Sequence, residues 1–95
     1  DEGLLVGFLI WQETDFEAEV LQIAVLPSYQ GQKIATALFD FLPADKEIFL
    51  EVRESNKPAL LFYKKEKFEE IAWRKAYYHA PMEDAIVMKR EIHER

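Results

Sequence analysis

An acid, an amide and a phenol lie close together in the sequence where a predicted strand leads into a predicted helix. The apolar residues 48–50 are typical of a buried strand, and Glu51 follows them directly. Ser55 or Asn56 is expected to cap the helix, and Tyr63, seven residues after Asn56, falls on the same helical face. Open α/β sheets bind ligands at the carboxyl ends of their strands. The segment therefore predicts an active site in which a carboxylate, an amide and a phenol act on one ligand.

A second segment, upstream of the first, predicts an anion-binding site. Residues 21–25 are typical of a strand, residues 27–33 of a polar turn, and residues 34–39 of the start of a helix. The first N–H groups of a helix have no internal partners and add to the helix dipole, so a phosphate group can bind there. The alternative is an ordinary strand-to-helix turn around Gly31, which the residues alone favour.

The two segments, in this order, resemble motifs A and B of the GNAT superfamily, the acetyl-coenzyme A dependent N-acetyltransferases. The first motif is Q/R-x-x-G-x-G/A, and Gln30 and Ala35 match it. The second is N-x-x-A-x-x-x-Y-x-x-x-G-F, and the matching residues are Asn56, Ala59, Tyr63 and Phe68. Segments 51–56, 74–78 and 83–88 further resemble the bacterial RimI type, which acetylates a ribosomal-protein alanine. The resemblance covers nearly all of the chain.

Lysines replace one glycine in each of the two motifs. Lys33 could hold the backbone away from a pyrophosphate, because glycine allows a close approach, or it could bend toward the phosphates as a positive charge. Lys67 indicates a changed turn after the second helix, where the backbone is expected to need a positive φ.

The resemblance implies an α+β fold with a mixed sheet, the GNAT acyl-CoA N-acyltransferase fold, in one domain over residues 1–95. The predicted strands are residues 4–12, 19–25, 47–52, 69–77 and 85–91, and the predicted helices are residues 33–42 and 57–66. The family has a strand, two helices and a second strand before the position of Gly3, so the chain is interpreted as amino-terminally truncated. Five aromatic residues are assigned to the core: Trp11, Phe39, Phe41, Phe49 and Phe62.

The implied activity is transfer of an acetyl group from acetyl-coenzyme A to a primary amine. Glu51 would act as the base through a water molecule, and the alternative is an ion pair with Arg53 or a nearby lysine. Tyr63 would act as the acid that protonates the departing thiolate, since a phenol and a thiol have similar acidities. Its alternative role is packing, which is common for an aromatic residue on a helix.

The resemblance also implies how acetyl-coenzyme A binds. Asn56 would hydrogen-bond the pantetheine arm, although it could serve only as a helix cap. The backbone of Ile23, Ala24 and Val25 would pair with that arm like an added strand. The pyrophosphate would lie at the amino end of the first helix, against Gly31, Gln32, Lys33, Ile34, Ala35 and Thr36.

The acceptor is predicted from the resemblance and from charge. Tyr77 and Tyr78 would line its groove, although one of the two must face the other side of the strand. Eighteen acids against twelve bases give a net charge of −6, which argues against nucleic acid and suits a basic protein N-terminus or an amine. The preferred acceptor is the N-terminal alanine of a ribosomal protein. Alternatives are another protein N-terminus, a small amine, or a coenzyme A-binding module without catalysis.

Composition excludes several other kinds of site. The absence of cysteine excludes disulfides and thiolate zinc sites, and His79 and His93 are isolated, so no metal site is expected. No apolar run approaches the roughly 20 residues of a membrane span, and no signal peptide is recognisable, so a cytosolic location is expected.

The first predicted strand carries apolar residues on both faces and is expected to form an edge of the sheet. Exposed apolar edges pair with other chains. The chain is therefore expected to self-associate through this strand, or else to be marginally stable.

Overall fold

The computed structural model describes residues 5–31 and 33–92. Within these residues it has five strands and two α-helices, in an α+β arrangement that confirms the predicted fold class. The elements in chain order are β1 (Gly7–Glu13), β2 (Glu17–Val25), α1 (Ile34–Phe39), β3 (Glu47–Arg53), α2 (Lys57–Lys65), β4 (Glu69–Tyr78) and β5 (Glu83–Arg90). A 3₁₀ helix, Pro27–Tyr29, lies between β2 and α1.

All seven predicted elements are present, and the main differences lie at their ends. The first strand begins at Gly7 rather than at Leu4, which lies outside the described residues. The first helix ends at Phe39, not at residue 42. After Phe39, the N–H groups of Phe41 and Leu42 donate to the carbonyls of the residues three positions earlier, Leu38 and Phe39, at 3.1 Å each. The chain therefore continues as a tighter 3₁₀-like turn.

The sheet is mixed, with the strand order β1-β2-β3-β5-β4. Only β2 and β3 run parallel, and their pairing covers three residue pairs, from Glu17 with Glu47 to Glu19 with Phe49. All the other neighbouring strands are antiparallel. A bulge in the β1–β2 pairing leaves Leu21 as an extra residue on β2, which bends that strand. The two central strands are therefore joined at one end and separate toward their carboxyl ends.

Both helices pack on the same face of the sheet. On β3 the side chains of Ile48, Leu50 and Val52 are buried there, in the alternation expected of a strand. Phe39 from α1 and Leu60 from α2 cover them. The remaining buried apolar residues of this cluster are Ala18, Val20, Leu42, Phe68, Ile86 and Met88.

The aromatic core assignments are confirmed in part. Phe39 is 1% exposed, and Trp11 and Phe62 pack against the buried cluster. Phe41 is 73% exposed, so its assignment to the core is wrong. Leu42, three residues after Phe39, takes the inward position instead, because the tight turn after α1 repeats every three residues.

The two lysines at glycine positions both have left-handed backbones. Lys33 has φ 62° and forms the N-cap of α1, and Lys67 has φ 77° just after α2. The N–H of Phe68 bonds to the carbonyl of Tyr63 at 2.9 Å and the N–H of Lys67 bonds to that of Lys64 at 3.1 Å. These two bonds form a Schellman motif, in which glycine is the usual residue at the position of Lys67. The positive φ expected at Lys67 is confirmed.

Helix α2 begins as predicted. The side chain of Asn56 accepts a hydrogen bond from the N–H of Ala59 at 3.3 Å, and Pro58 lies in the first turn. Neither helix in the described part of the chain is long and apolar enough to span a bilayer.

Candidate active site

The most prominent feature for ligand binding is the gap between the carboxyl-terminal halves of β2 and β3. Pairing between the two strands stops at Glu19 and Phe49. Residues 20–25 of β2 therefore have no strand partner on the side of β3 within the described residues, and the predicted positions Ile23, Ala24 and Val25 are among them. An open strand edge of this kind can accept an extended ligand through backbone hydrogen bonds.

The turn after β2 brings the chain to the amino end of α1. The Nε2 of Gln30 donates to the carbonyl of Val25 at 3.1 Å and holds the turn against the end of the strand. Gly31 has φ 86° and Lys33 has φ 62°, so two left-handed residues direct the chain into the helix. The side chain of the N-cap residue, Lys33, makes no capping hydrogen bond with a described residue. Gln32, also predicted to bind cofactor, lies outside the described residues.

Ile34, Ala35 and Thr36 form the first turn of α1, so their N–H groups face away from the helix toward its amino end. The hydroxyl of Thr36 donates to Oε2 of Glu66 at 2.9 Å. This bond ties α1 to the carboxyl end of α2. Any contribution of Thr36 to ligand binding would therefore come from its backbone.

Glu51 borders the gap on the face of the sheet opposite the helices, because it alternates with the buried residues Leu50 and Val52. Its Oε2 accepts a hydrogen bond from Nη1 of Arg74 at 2.7 Å. The Glu51 side chain is 17% exposed and that of Arg74 is 54% exposed. The guanidinium of Arg74 also lies 4.0 Å from the centre of the Tyr77 ring.

Glu51 thus has an ion-pair partner, as the alternative interpretation of this residue allowed, but the partner is not Arg53. Arg53 pairs with Glu83 at 3.1 Å. Arg74 reaches Glu51 across β5, where Ala85 stands between Arg74 and Arg53 in the strand register and leaves room for the long side chain. The sequence did not indicate this pair, since it depends on a strand order that local patterns do not encode.

Tyr63 lies on the helical side of the sheet, within an aromatic cluster. Its ring stacks on Phe39 with centroids 5.9 Å apart and an interplanar angle of 8°, and Phe62 and Phe68 lie at 5.6 Å and 6.1 Å. Burial raises the pKa of the Tyr63 phenol, and electrostatic interaction with Tyr78 raises it further. The packing role that the sequence left open is therefore present.

Glu51 and Tyr63 thus lie on opposite faces of the sheet, not side by side. Burial raises the pKa of Tyr78 most, and the charge of Glu51 raises it further. Tyr78 in turn adds to the rise in the pKa of Tyr63. These shifts concern the loss of the phenol protons at alkaline pH, since the ordinary pKa of tyrosine is about 10.

The expectation that Tyr77 and Tyr78 face opposite sides of their strand is wrong. Their rings are 5.1 Å apart in an edge-to-face arrangement. The pairing of β4 with β5 is irregular between Arg74 and Tyr78, and Ala76 has φ 50° there. The N–H of Ala76 bonds to Oδ1 of Asp84 at 2.8 Å, which stabilises the distortion. The break in alternation brings both tyrosines to the side of Glu51.

A family comparison agrees with this geometry. Residues 1–70 match the model of the acetyltransferase (GNAT) domain. The chain belongs to the GNAT acetyltransferase family. The mixed five-stranded sheet with two helices is consistent with that fold.

Relatives of this GNAT chain include enzymes named for N-terminal acetylation. It is 40% identical over 97 residues to the [ribosomal protein bS18]-alanine N-acetyltransferase of Haemophilus influenzae, covering 93% of this chain and 66% of that protein. It is 34% identical over 97 residues to the N-alpha-acetyltransferase RimI of Mycobacterium tuberculosis, and the match covers 94% of this chain and 61% of that protein. The chain therefore spans less than two thirds of the length of these relatives.

Solved structures show the same similarity. The ribosomal-protein-S18-alanine N-acetyltransferase from Escherichia coli superposes with a TM-score of 0.88 at 35% identity, covering all of this chain and 66% of that one. Ard1 from Thermoplasma volcanium gives a TM-score of 0.90 at 30% identity, and the match covers 98% of this chain and 67% of that one.

Proposed function

We propose that this GNAT chain transfers the acetyl group of acetyl-coenzyme A to a primary amine, with the N-terminal alanine of a ribosomal protein as the preferred acceptor. The observation that carries the proposal is the open edge of β2 beside Glu51, in a chain of an acetyltransferase family. The acceptor is inferred from the names of the relatives in Haemophilus influenzae and Escherichia coli.

Acetyl-coenzyme A would bind along the open edge of β2. Its pantetheine arm would pair with the backbone of Ile23, Ala24 and Val25 as an added strand, and Asn56 would donate to it from the start of α2. The pyrophosphate would lie against the N–H groups of residues 31–36. The described residues fit this group, because Lys33 has a left-handed backbone, a conformation that glycine adopts without strain.

Glu51 would accept the proton of the acceptor amine through a water molecule. Tyr63 would donate a proton to the departing thiolate, and its raised pKa keeps the phenol protonated at neutral pH. Arg74 holds the Glu51 carboxylate in a fixed direction with a charge-assisted bond of 2.7 Å. Tyr77 and Tyr78 would contact the acceptor on the same side as Glu51.

The acceptor chemistry follows from charge. The chain has a net charge of −6, which favours a basic N-terminal segment over an acidic one. Such acceptors are made in the cytosol, and that is where we place the enzyme. The alternatives of another protein N-terminus or a small amine are distinguished by comparing kcat/KM for each.

We also infer that the chain self-associates through β1. Among the described residues this strand pairs only with β2, and its other edge is open. Ile10 on this strand is 45% exposed. An open edge with exposed apolar side chains favours pairing with a second copy.

A titration with coenzyme A tests the binding site. Amide signals of residues 23–25 and 33–36 should shift together, because one ligand would contact both segments. Shifts confined to other segments would show that the cofactor site is wrong.

The same sample, given acetyl-coenzyme A and a peptide starting with alanine, tests catalysis. Binding without thioester turnover would favour the module without catalysis.

A further inference from the structure

Arg53, at the carboxyl end of β3, contacts four residues between the end of β4 and the start of β5. Its Nη1 donates to Oε1 of Glu83 at 3.1 Å and to the carbonyl of Pro81 at 3.2 Å, and its Nη2 donates to the carbonyl of His79 at 3.5 Å. The guanidinium also lies 4.4 Å from the centre of the Tyr78 ring. A planar guanidinium can make these bonds and stack on a ring at the same time.

Glu83 extends this network to the start of α2. While Oε1 accepts from Arg53, Oε2 accepts from the N–H of Ser55 at 2.7 Å. These hydrogen bonds from Ser55 and Arg53 lower the pKa of the Glu83 carboxyl, so it remains charged at neutral pH. One residue pair thus joins β3, the turn before α2 and the β4–β5 segment. We call it the Arg53–Glu83 clamp.

The clamp lies beside the proposed catalytic groups. Arg53 is two residues after Glu51 on β3, so both side chains are on the same face of the sheet. The Tyr78 ring on which Arg53 stacks lies 5.1 Å from the Tyr77 ring, and Tyr77 in turn lies against Arg74, the ion-pair partner of Glu51. The position of the Tyr78 ring, near the Glu51–Arg74 pair, therefore depends on the contact with Arg53.

We propose that Arg53 and Glu83 are positioning residues that hold the Tyr78 phenol where the acceptor meets Glu51. This inference rests on the proposed function, since it assigns Tyr78 to acceptor binding. The clamp itself touches neither reacting group. It acts by fixing the segment between β4 and β5 through the bonds of Arg53 to His79, Pro81 and Glu83.

The test is a double-mutant cycle read in steady-state kinetics, with acetyl-coenzyme A and a peptide that has an amino-terminal alanine followed by basic residues. Arg53→Gln and Glu83→Gln should each lower kcat/KM for the peptide by about 10- to 100-fold, the cost of a small misplacement in a site. Coenzyme A affinity should change much less than kcat/KM, because, near the described residues proposed to bind cofactor, the side chains of the clamp bond only to the N–H of Ser55, next to Asn56. The double variant should match either single variant, since both residues act as one unit.

The decisive comparison uses Tyr78→Phe, which keeps the ring under Arg53 and removes the hydroxyl. If the clamp acts through this phenol, adding Arg53→Gln to Tyr78→Phe should cause little further loss. Lys46→Gln is the matched control, because Lys46 forms a comparable ion pair with Glu13, at 2.8 Å, near the opposite end of β3. That variant should retain wild-type kinetics.

Two results would overturn the inference: unchanged peptide kinetics in Arg53→Gln, or an equal loss in the Tyr78→Phe background. A wild-type chain that turns over no acetyl-coenzyme A would instead refute the proposed function. In that case hydrogen exchange decides whether the clamp exists. Amides of residues 79–83 that exchange faster in Arg53→Gln than in wild type support it, and equal rates overturn it.

Discussion

Arg74 and Glu51 form an ion pair across an intervening strand, with Nη1 of Arg74 on β4 lying 2.7 Å from Oε2 of Glu51 on β3. The pair crosses β5 near Ala85, which is fully buried. Glu51 is largely shielded and Arg74 is half exposed, so the pair is in contact with solvent mainly on the side of Arg74. The charge-assisted bond fixes the direction of the carboxylate.

The first prediction concerns the proposed base. Glu51→Gln should lower turnover by about 100-fold or more, since an amide cannot take a proton from the amine. Glu47→Gln is the matched control, because Glu47 lies on the same strand and face and pairs with Lys89 at 3.4 Å, far from the gap. Steady-state kinetics of both variants provide the measurement. Equal effects in the two variants would remove Glu51 from the mechanism.

The second prediction concerns the proposed acid. Tyr63→Phe keeps the ring that stacks on Phe39 and removes only the hydroxyl. Turnover should fall by about 100-fold or more while coenzyme A affinity stays near wild type, the pattern of a group that acts only in the transition state. Wild-type turnover in Tyr63→Phe would leave this residue with its packing role alone.

Local patterns in the sequence predicted the elements well, because each strand and helix has the alternation or capping residues of its type. Asn56 is an example, since both the cap and the first turn after it follow from residues within one segment. Phe41 shows the limit. Its apolar character favours the core, but the 3₁₀-like turn after α1 directs Leu42 inward and leaves Phe41 exposed.

The candidate site depended more on distant contacts and was predicted less completely. Arg74 and Glu51 are brought together only by the order of three strands, and no spacing in the sequence encodes that order. Tyr77 and Tyr78 lie together because Ala76 breaks the alternation of β4. Alanine is an unusual residue at a positive φ, so the sequence carried no signal of this break.

The third prediction concerns stability at alkaline pH. Burial raises the pKa of Tyr63, so the folded chain holds this proton more tightly than the unfolded chain does. The stabilisation is complete below the unfolded pKa of about 10 and is lost as the pH rises through the folded value. In urea unfolding from pH ~9 to pH ~11.5, Tyr63→Phe should therefore lose less stability than wild type. If the free energy of unfolding falls with pH equally in the two proteins, Tyr63 does not contribute to the loss of stability at alkaline pH.

The fourth prediction uses the left-handed backbone of Lys67, which has φ 77°. A side chain with a Cβ is strained in this conformation, and glycine is not. Lys67→Gly should therefore raise the free energy of unfolding by up to about 1 kcal/mol, reduced in part by the freedom of glycine in the unfolded chain. Lys65→Gly, at the last residue of α2, should lower it. Urea unfolding of both variants measures the difference, and a destabilised Lys67→Gly would contradict the argument.

The last prediction concerns self-association through the edge strand β1. Ile10 lies on this strand, pairs with Gln22 of β2, and is 45% exposed. A lysine on an edge strand opposes pairing with another chain, because the charge must stay in water. In sedimentation at rising concentrations, wild type should form larger species and Ile10→Lys should remain monomeric. Phe41→Lys, which changes an exposed apolar residue outside the strands, should behave as wild type. If Phe41→Lys dissociates the assembly and Ile10→Lys does not, the contact lies elsewhere, and a wild-type monomer at high concentration would refute self-association altogether.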